Sequence, residues 1–122
     1  MIKALIVDDE ELARRGLEIR LEQFDDIEIC GQSRNGREAL IDFREQSPDV
    51  MFLDIQMPGM NGLELQVHLA ESGVVIPIVF ITAHEDDRAC TKAMALGAVT
   101  ILQKPFEDST ILDTIQTIIA RE

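Results

Sequence analysis

Five short apolar runs, each stopped by a polar residue, alternate along this chain with longer amphipathic stretches. Ala4-Leu5-Ile6-Val7 stops at Asp8-Asp9, and Val50-Met51-Phe52-Leu53 stops at Asp54. Pro77 to Ile81 ends in Thr82, and Val99 to Leu102 is followed by Lys104-Pro105. Ile27 to Ser33 alternates as a strand does, with Ile27 and Ile29 on one side and Glu28 and Cys30 on the other. Between the runs lie helical spacings: Leu17, Leu21 and Phe24; Ala39, Leu40 and Phe43 after Asn35-Gly36; Leu63, Val67 and Ala70; and Ile111, Ile115, Ile118 and Ile119. A fourth helix is predicted to begin near Glu85-Asp86-Asp87, acids that suit a helix N-terminus, and to end at Gly97. Pro and Gly make Met57 to Gly62 a loop. Strands that are apolar almost throughout and alternate with helices predict a parallel sheet covered on both faces. The expected fold is therefore α/β: a single-domain three-layer α/β/α sandwich of (βα)5 type with a five-stranded parallel sheet.

The 122 residues hold one domain, and the apolar types, 46% of the chain, suffice for its core. A net charge of −12 argues against direct binding of nucleic acid or of an anionic membrane surface. No apolar run approaches a membrane span, and no signal-peptide pattern is seen. Cys30 and Cys90 lie far apart in different predicted elements, which argues against a disulfide scaffold and suits a reducing, cytoplasmic setting.

In an open parallel sheet, ligands bind beyond the carboxyl ends of the strands. Here those ends carry Asp8-Asp9, Asp54, Thr82 and Lys104, whereas the second strand brings only Ser33, as suits an edge. Three carboxylates in one pocket repel, so at least one pKa should rise unless a cation compensates. Oxygen ligands plus water suit Mg²⁺. A carboxylate beside a metal, a lysine and a hydroxyl is equipped to act as a nucleophile toward phosphorus.

With Val7-Asp8-Asp9-Glu10, Asp54 followed by Met57-Pro58-Gly59-Met60-Asn61-Gly62, Thr82-Ala83, Gly97-Ala98 and Lys104-Pro105-Phe106 in this order, the chain resembles the receiver domain of two-component response regulators over essentially residues 1–122. The resemblance implies the strand order 2-1-3-4-5 and a phosphorylation switch that catalyses its own modification rather than an enzyme acting on other substrates. It implies Asp54 as phosphoacceptor, Asp9 as direct Mg²⁺ ligand beside Asp54, Asp8 acting through a metal-bound water, and the backbone carbonyl of Gln56 as a further ligand. Lys104 would pair with the phosphoryl group, Thr82 would bond one of its oxygens, and the Lys104–Pro105 peptide would be cis. The implied donor is a sensor histidine kinase or a histidine phosphotransfer protein, docking around Arg14, Arg15, Leu17 and Pro105-Phe106. The implied output surface is the fourth helix, fifth strand and fifth helix, which would also serve a homodimer and an output domain or protein that the sequence does not name. One position departs from the family: three residues before Lys104, where Tyr or Phe is usual, stands Ile101, whose stiff β-branched chain has no ring to swing inward.

The single residues also have plainer readings. Asp8-Asp9-Glu10 alone is an ordinary acidic helix start, Asp54 a turn residue, Thr82 a helix cap and Lys104 a solvated lysine. Their joint placement at one rim favours the site. His84 reads as a loop residue near the rim, His68 as helix surface, the Met57–Met60 loop as packing, and Leu12 to Phe24 as a core-facing helix. A phosphohydrolase using an aspartyl-phosphate would want a second Asp where Gln56 stands, and a flavodoxin-like carrier would not place Asp8-Asp9-Glu10 against a phosphate. A receiver-like interaction domain that is never phosphorylated is the alternative that Ile101 keeps open.

Overall fold

The apolar runs become strands whose successive side chains face opposite ways, and both directions are buried. A computed structural model describes residues 1–83, 87–105 and 107–121, the last by its backbone only. His84, Glu85, Asp86 and Phe106, named in the sequence reading, lie outside the described residues. In chain order the elements are β1 (Ile2–Val7), α1 (Glu11–Leu21), β2 (Ile27–Ser33), α2 (Gly36–Gln46), β3 (Val50–Asp54), α3 (Gly62–Glu71), β4 (Ile78–Thr82), α4 (Asp87–Ala95), β5 (Thr100–Gln103) and α5 (Asp108–Arg121). The sheet is parallel throughout, in the order β2-β1-β3-β4-β5.

Alternation along the strands sorts the core into two layers. Ala4, Ile6, Val50, Phe52, Val79, Ile81 and Leu102 pack against Leu17 and Leu21 of α1 and Ile111, Ile115 and Ile118 of α5. Leu5, Val7, Met51, Leu53, Ile78 and Phe80 face the other way, onto Ala39 of α2, Leu65 and Leu69 of α3, and Ala89 and Ala93 of α4. Two helices therefore cover one face and three the other, which completes the three-layer sandwich. The edge strand β2 carries the irregularity: Ala4 pairs with Ile29 but Leu5 with Gly31, so Cys30 is the extra residue of a bulge.

Two helical phases differ from the sequence reading. On α3 the buried residues are Gly62, Leu65, Gln66 and Leu69, while Leu63 and Val67 are half-buried and Ala70 is exposed. The helix is apolar on more than one side, and the buried polar Gln66 masks its true face. On α1, which ends before Phe24, Leu17 and Leu21 point inward, but Leu12 is 85% exposed. The core-facing stretch is therefore shorter than Leu12 to Phe24.

The start of α3 is fixed by contact with the end of β3. A Cβ on Gly62 would sit 2.4 Å from the carbonyl oxygen of Asp54. The Gly62 N–H donates to the Ile55 carbonyl at 3.0 Å. Asn61 caps the helix by accepting from the Glu64 N–H, and Glu64 returns the bond to Asn61, forming a capping box. Gly62→Ala should destabilise the protein by about 2 kcal/mol or more, because backbone must move to admit a methyl. Urea unfolding would check this, and an unchanged midpoint would contradict the close packing.

Candidate phosphoacceptor and metal site

The carboxyl ends of β1, β3, β4 and β5 reach one rim, and with them the predicted side chains. Asp8 follows β1, Asp54 ends β3, Thr82 ends β4 and Lys104 follows β5. Asp8, Asp54 and Thr82 are buried, whereas Asp9 is exposed. One oxygen each of Asp8, Asp9 and Asp54 can be chosen so that all three lie within 4.8 Å of one another. Oxygen donors at that mutual distance fit a hard divalent cation such as Mg²⁺. Among the described residues the cluster offers carboxylate oxygens as its ligands.

Asp8 and Asp54 are held by their surroundings. Asp8 Oδ2 accepts from Lys104 Nζ at 3.0 Å, and Asp8 Oδ1 accepts from the Glu10 N–H at 2.9 Å. The Asp8 N–H donates to the Ser33 carbonyl at 3.1 Å. Asp54 Oδ1 accepts from the Gln56 N–H at 3.2 Å. The Lys104 N–H donates to the Thr82 carbonyl at 2.7 Å, which ties the end of β5 to the end of β4. The Lys104–Pro105 peptide is cis, as expected. Gln56 sits in the turn after β3 with its side chain exposed.

The mutual repulsion expected from the sequence falls on Asp54. Burial pushes its carboxyl up to about 7, and the Asp8 charge pushes the same way. The Lys104 ammonium and the Gln56 N–H pull it back, and Asp9 adds a smaller upward push.

A cavity of ≈ 200 Å³ adjoins the acids, with Asp8, Asp54 and Lys104 at its polar end and Leu12, Ala13 and Gly16 of α1 along its wall. This corrects the docking residues. Leu17 is 5% exposed and belongs to the core, so it offers little surface, whereas Leu12 is 85% exposed. Arg15 and Pro105 are exposed, and Arg15 pairs with Glu18 at 2.6 Å. Arg14 is half-buried and donates to the Asp8 carbonyl at 2.7 Å, a contact that no local pattern signals. Ser33 is fully buried and donates to Asp42 Oδ2 at 2.6 Å, so the polar group of β2 serves the fold. His68 is exposed on α3, and Met57 is buried in the core, as read. Ile101 is half-buried and packs into the layer of α2, α3 and α4.

These features have relatives. Residues 4–116 match the response regulator receiver domain family. The chain is 45% identical over 115 residues to the transcriptional regulatory protein BtsR of Salmonella typhi, covering 94% of this chain and 47% of that protein. It is 34% identical over 120 residues to the response regulator GacA of Pseudomonas syringae pv. syringae, covering 98% of this chain and 56% of that one. Among solved structures, the response regulatory domain of protein mrkE from Klebsiella pneumoniae superimposes with a TM-score of 0.88 at 29% identity, covering 98% of this chain and 97% of that one. The chain spans about half the length of the two regulators it matches. It belongs to the response regulator receiver domain family, phosphorylation-dependent signalling switches that catalyse their own phosphotransfer and dephosphorylation.

The charge cluster makes the metal-free protein sensitive to pH. The folded Asp54 carboxyl titrates near 7 and its ordinary value is 3.8, so the folded state holds the extra proton between them. Stability is then lost as pH rises through that window. Asp54→Asn should therefore raise the stability of chelator-treated protein at pH 8, on the order of 1–2 kcal/mol once screening at the rim is allowed for. At pH 4 the variant and wild type should nearly coincide. Thermal melts at both values check this, and an equal gap at both would contradict it.

Proposed function

We propose that residues 1–122 form one receiver unit that takes a phosphoryl group on Asp54 from the phosphohistidine of a sensor kinase or phosphotransfer protein. The observation that carries the reading is the trio Asp8, Asp9 and Asp54 with oxygens within 4.8 Å, beside a lysine already drawn to one of them. The exposed Asp9 and the buried Asp54 would hold Mg²⁺ directly, Asp8 through a water, and Gln56 through its backbone carbonyl. Bound Mg²⁺ supplies positive charge against the acids and the transferring phosphoryl group. A carboxylate oxygen of Asp54 forms the new P–O bond as the P–N bond to the donor imidazole breaks. Lys104 exchanges its place on Asp8 for a phosphoryl oxygen, and the Thr82 hydroxyl donates to another. The donor would approach over Leu12 and Pro105, exposed residues that line the cavity, and over the exposed Arg15 of α1.

The readout would run through α4, β5 and α5 to an output domain or protein, with a homodimer through the same surface. The transcriptional regulators it resembles are about twice as long, which supports an output segment outside this chain. Among the described residues no helix is long and apolar enough to cross a membrane. Ile101 favours one second reading, a receiver-like interaction domain that is not phosphorylated, because its packed aliphatic chain cannot reproduce an inward aromatic swing.

Intact mass after incubation with Mg²⁺ and a small phosphodonor separates the two readings. One added phosphoryl group, lost in Asp54→Ala, is expected. An adduct that persists in the variant would overturn Asp54 as acceptor. If wild type shows none, beryllofluoride raising its melting temperature would indicate rapid hydrolysis, and no rise would favour the silent domain.

A further inference from the structure

Asp8 is held at every polar position it has. Its N–H bonds Ser33, its two carboxylate oxygens bond Glu10 and Lys104, and its carbonyl accepts from Arg14 Nη1 at 2.7 Å. The last bond reaches back from the first turns of α1 to the peptide that joins Asp8 to Asp9. That peptide sets where the exposed Asp9 carboxylate stands. A charge-assisted bond to a carbonyl is directional, and this one is partly buried at the rim. Among the described residues no carboxylate pairs with Arg14 within 4 Å, although Glu38 lies near enough to feel its charge. We infer that Arg14 is a positioning residue of the metal site: its bond to the Asp8 carbonyl holds the Asp8–Asp9 turn in the geometry that binds a divalent cation.

Two effects of Arg14 on a cation oppose each other. Its positive charge repels a divalent ion, and its hydrogen bond orders the ligands. Removing the charge alone would tighten binding; losing the order weakens it. Groups that orient metal ligands in this way are typically worth about 10–100-fold in affinity. The inference commits to order prevailing.

The inference rests on the Mg²⁺ reading of the site, and calorimetric titration of Mg²⁺ into metal-free protein tests the two separately. Arg14→Met should weaken Mg²⁺ binding by about 10-fold or more. Arg14→Lys, which keeps a charged donor, should recover much of that loss. Melting in chelator should differ little among the three, since the bond lies at the partly exposed rim. Wild type and Arg14→Met with equal affinity, or a tighter Arg14→Met, would overturn the role of Arg14 alone. So would a chelator melting temperature that falls in parallel with affinity in both variants, which marks a general structural role. Wild type that takes no Mg²⁺ would overturn the reading of the site, and this inference with it.

Discussion

Like-charge repulsion at the rim governs this molecule. A parallel sheet in the order β2-β1-β3-β4-β5 brings the ends of β1 and β3 side by side, and each ends in acid. Asp54 and Asp8 are buried there, where water cannot screen them well. The fold answers with one lysine from a distant strand, with backbone N–H groups of Glu10 and Gln56, and with an arginine on the Asp8 carbonyl. Burial, and after it the Asp8 charge, outweigh that compensation and push the Asp54 carboxyl up to about 7. A site poised in this way stands ready for a cation and sacrifices stability to be so, as sites with displaced pKa values commonly do.

Most of the remaining structure keeps that cluster in place. Both faces of the sheet are buried, so a slip of register would expose apolar side chains wherever it occurred. On the β3 side, Gly62 lets the start of α3 press onto the Asp54 carbonyl, and the capping box secures the turn. On the β5 side, the Lys104 N–H bonded to the Thr82 carbonyl carries the lysine to the rim. Ile101, just upstream, is committed to the core layer beneath α2, α3 and α4. A stiff aliphatic chain in that position offers no ring to swing inward.

The reading of the sequence succeeded where one local pattern had one physical meaning. Leu5 and Val7 pack on one side and Ala4 and Ile6 on the other, so this short apolar run, bounded by Asp8, is a strand buried on both faces. Ile111, Ile115 and Ile118 similarly define the inner face of α5. It failed where two phases competed. Leu63, Val67 and Ala70 have helical spacing, but so do Leu65 and Leu69, and the close approach at Gly62 chose between them. Leu12 and Leu17 are both leucines on one helix, yet the first points to solvent and the second to the core. Five residues is about 140° around a helix, so the two cannot share one face, and the packing of α1 chose the face of Leu17 and Leu21.

The sequence by itself determined the alternation of strand and helix and the identity of the acids, hydroxyl and lysine at the strand ends. Those follow from local periodicity and from which residues interrupt it. The tertiary structure alone decided that Asp8, Asp9 and Asp54 lie within 4.8 Å and that Lys104 pairs with Asp8 across 96 residues. It alone decided, too, that Arg14 reaches the Asp8 carbonyl. Distances between groups remote in the chain depend on how strands order and helices pack, and no local pattern carries that information.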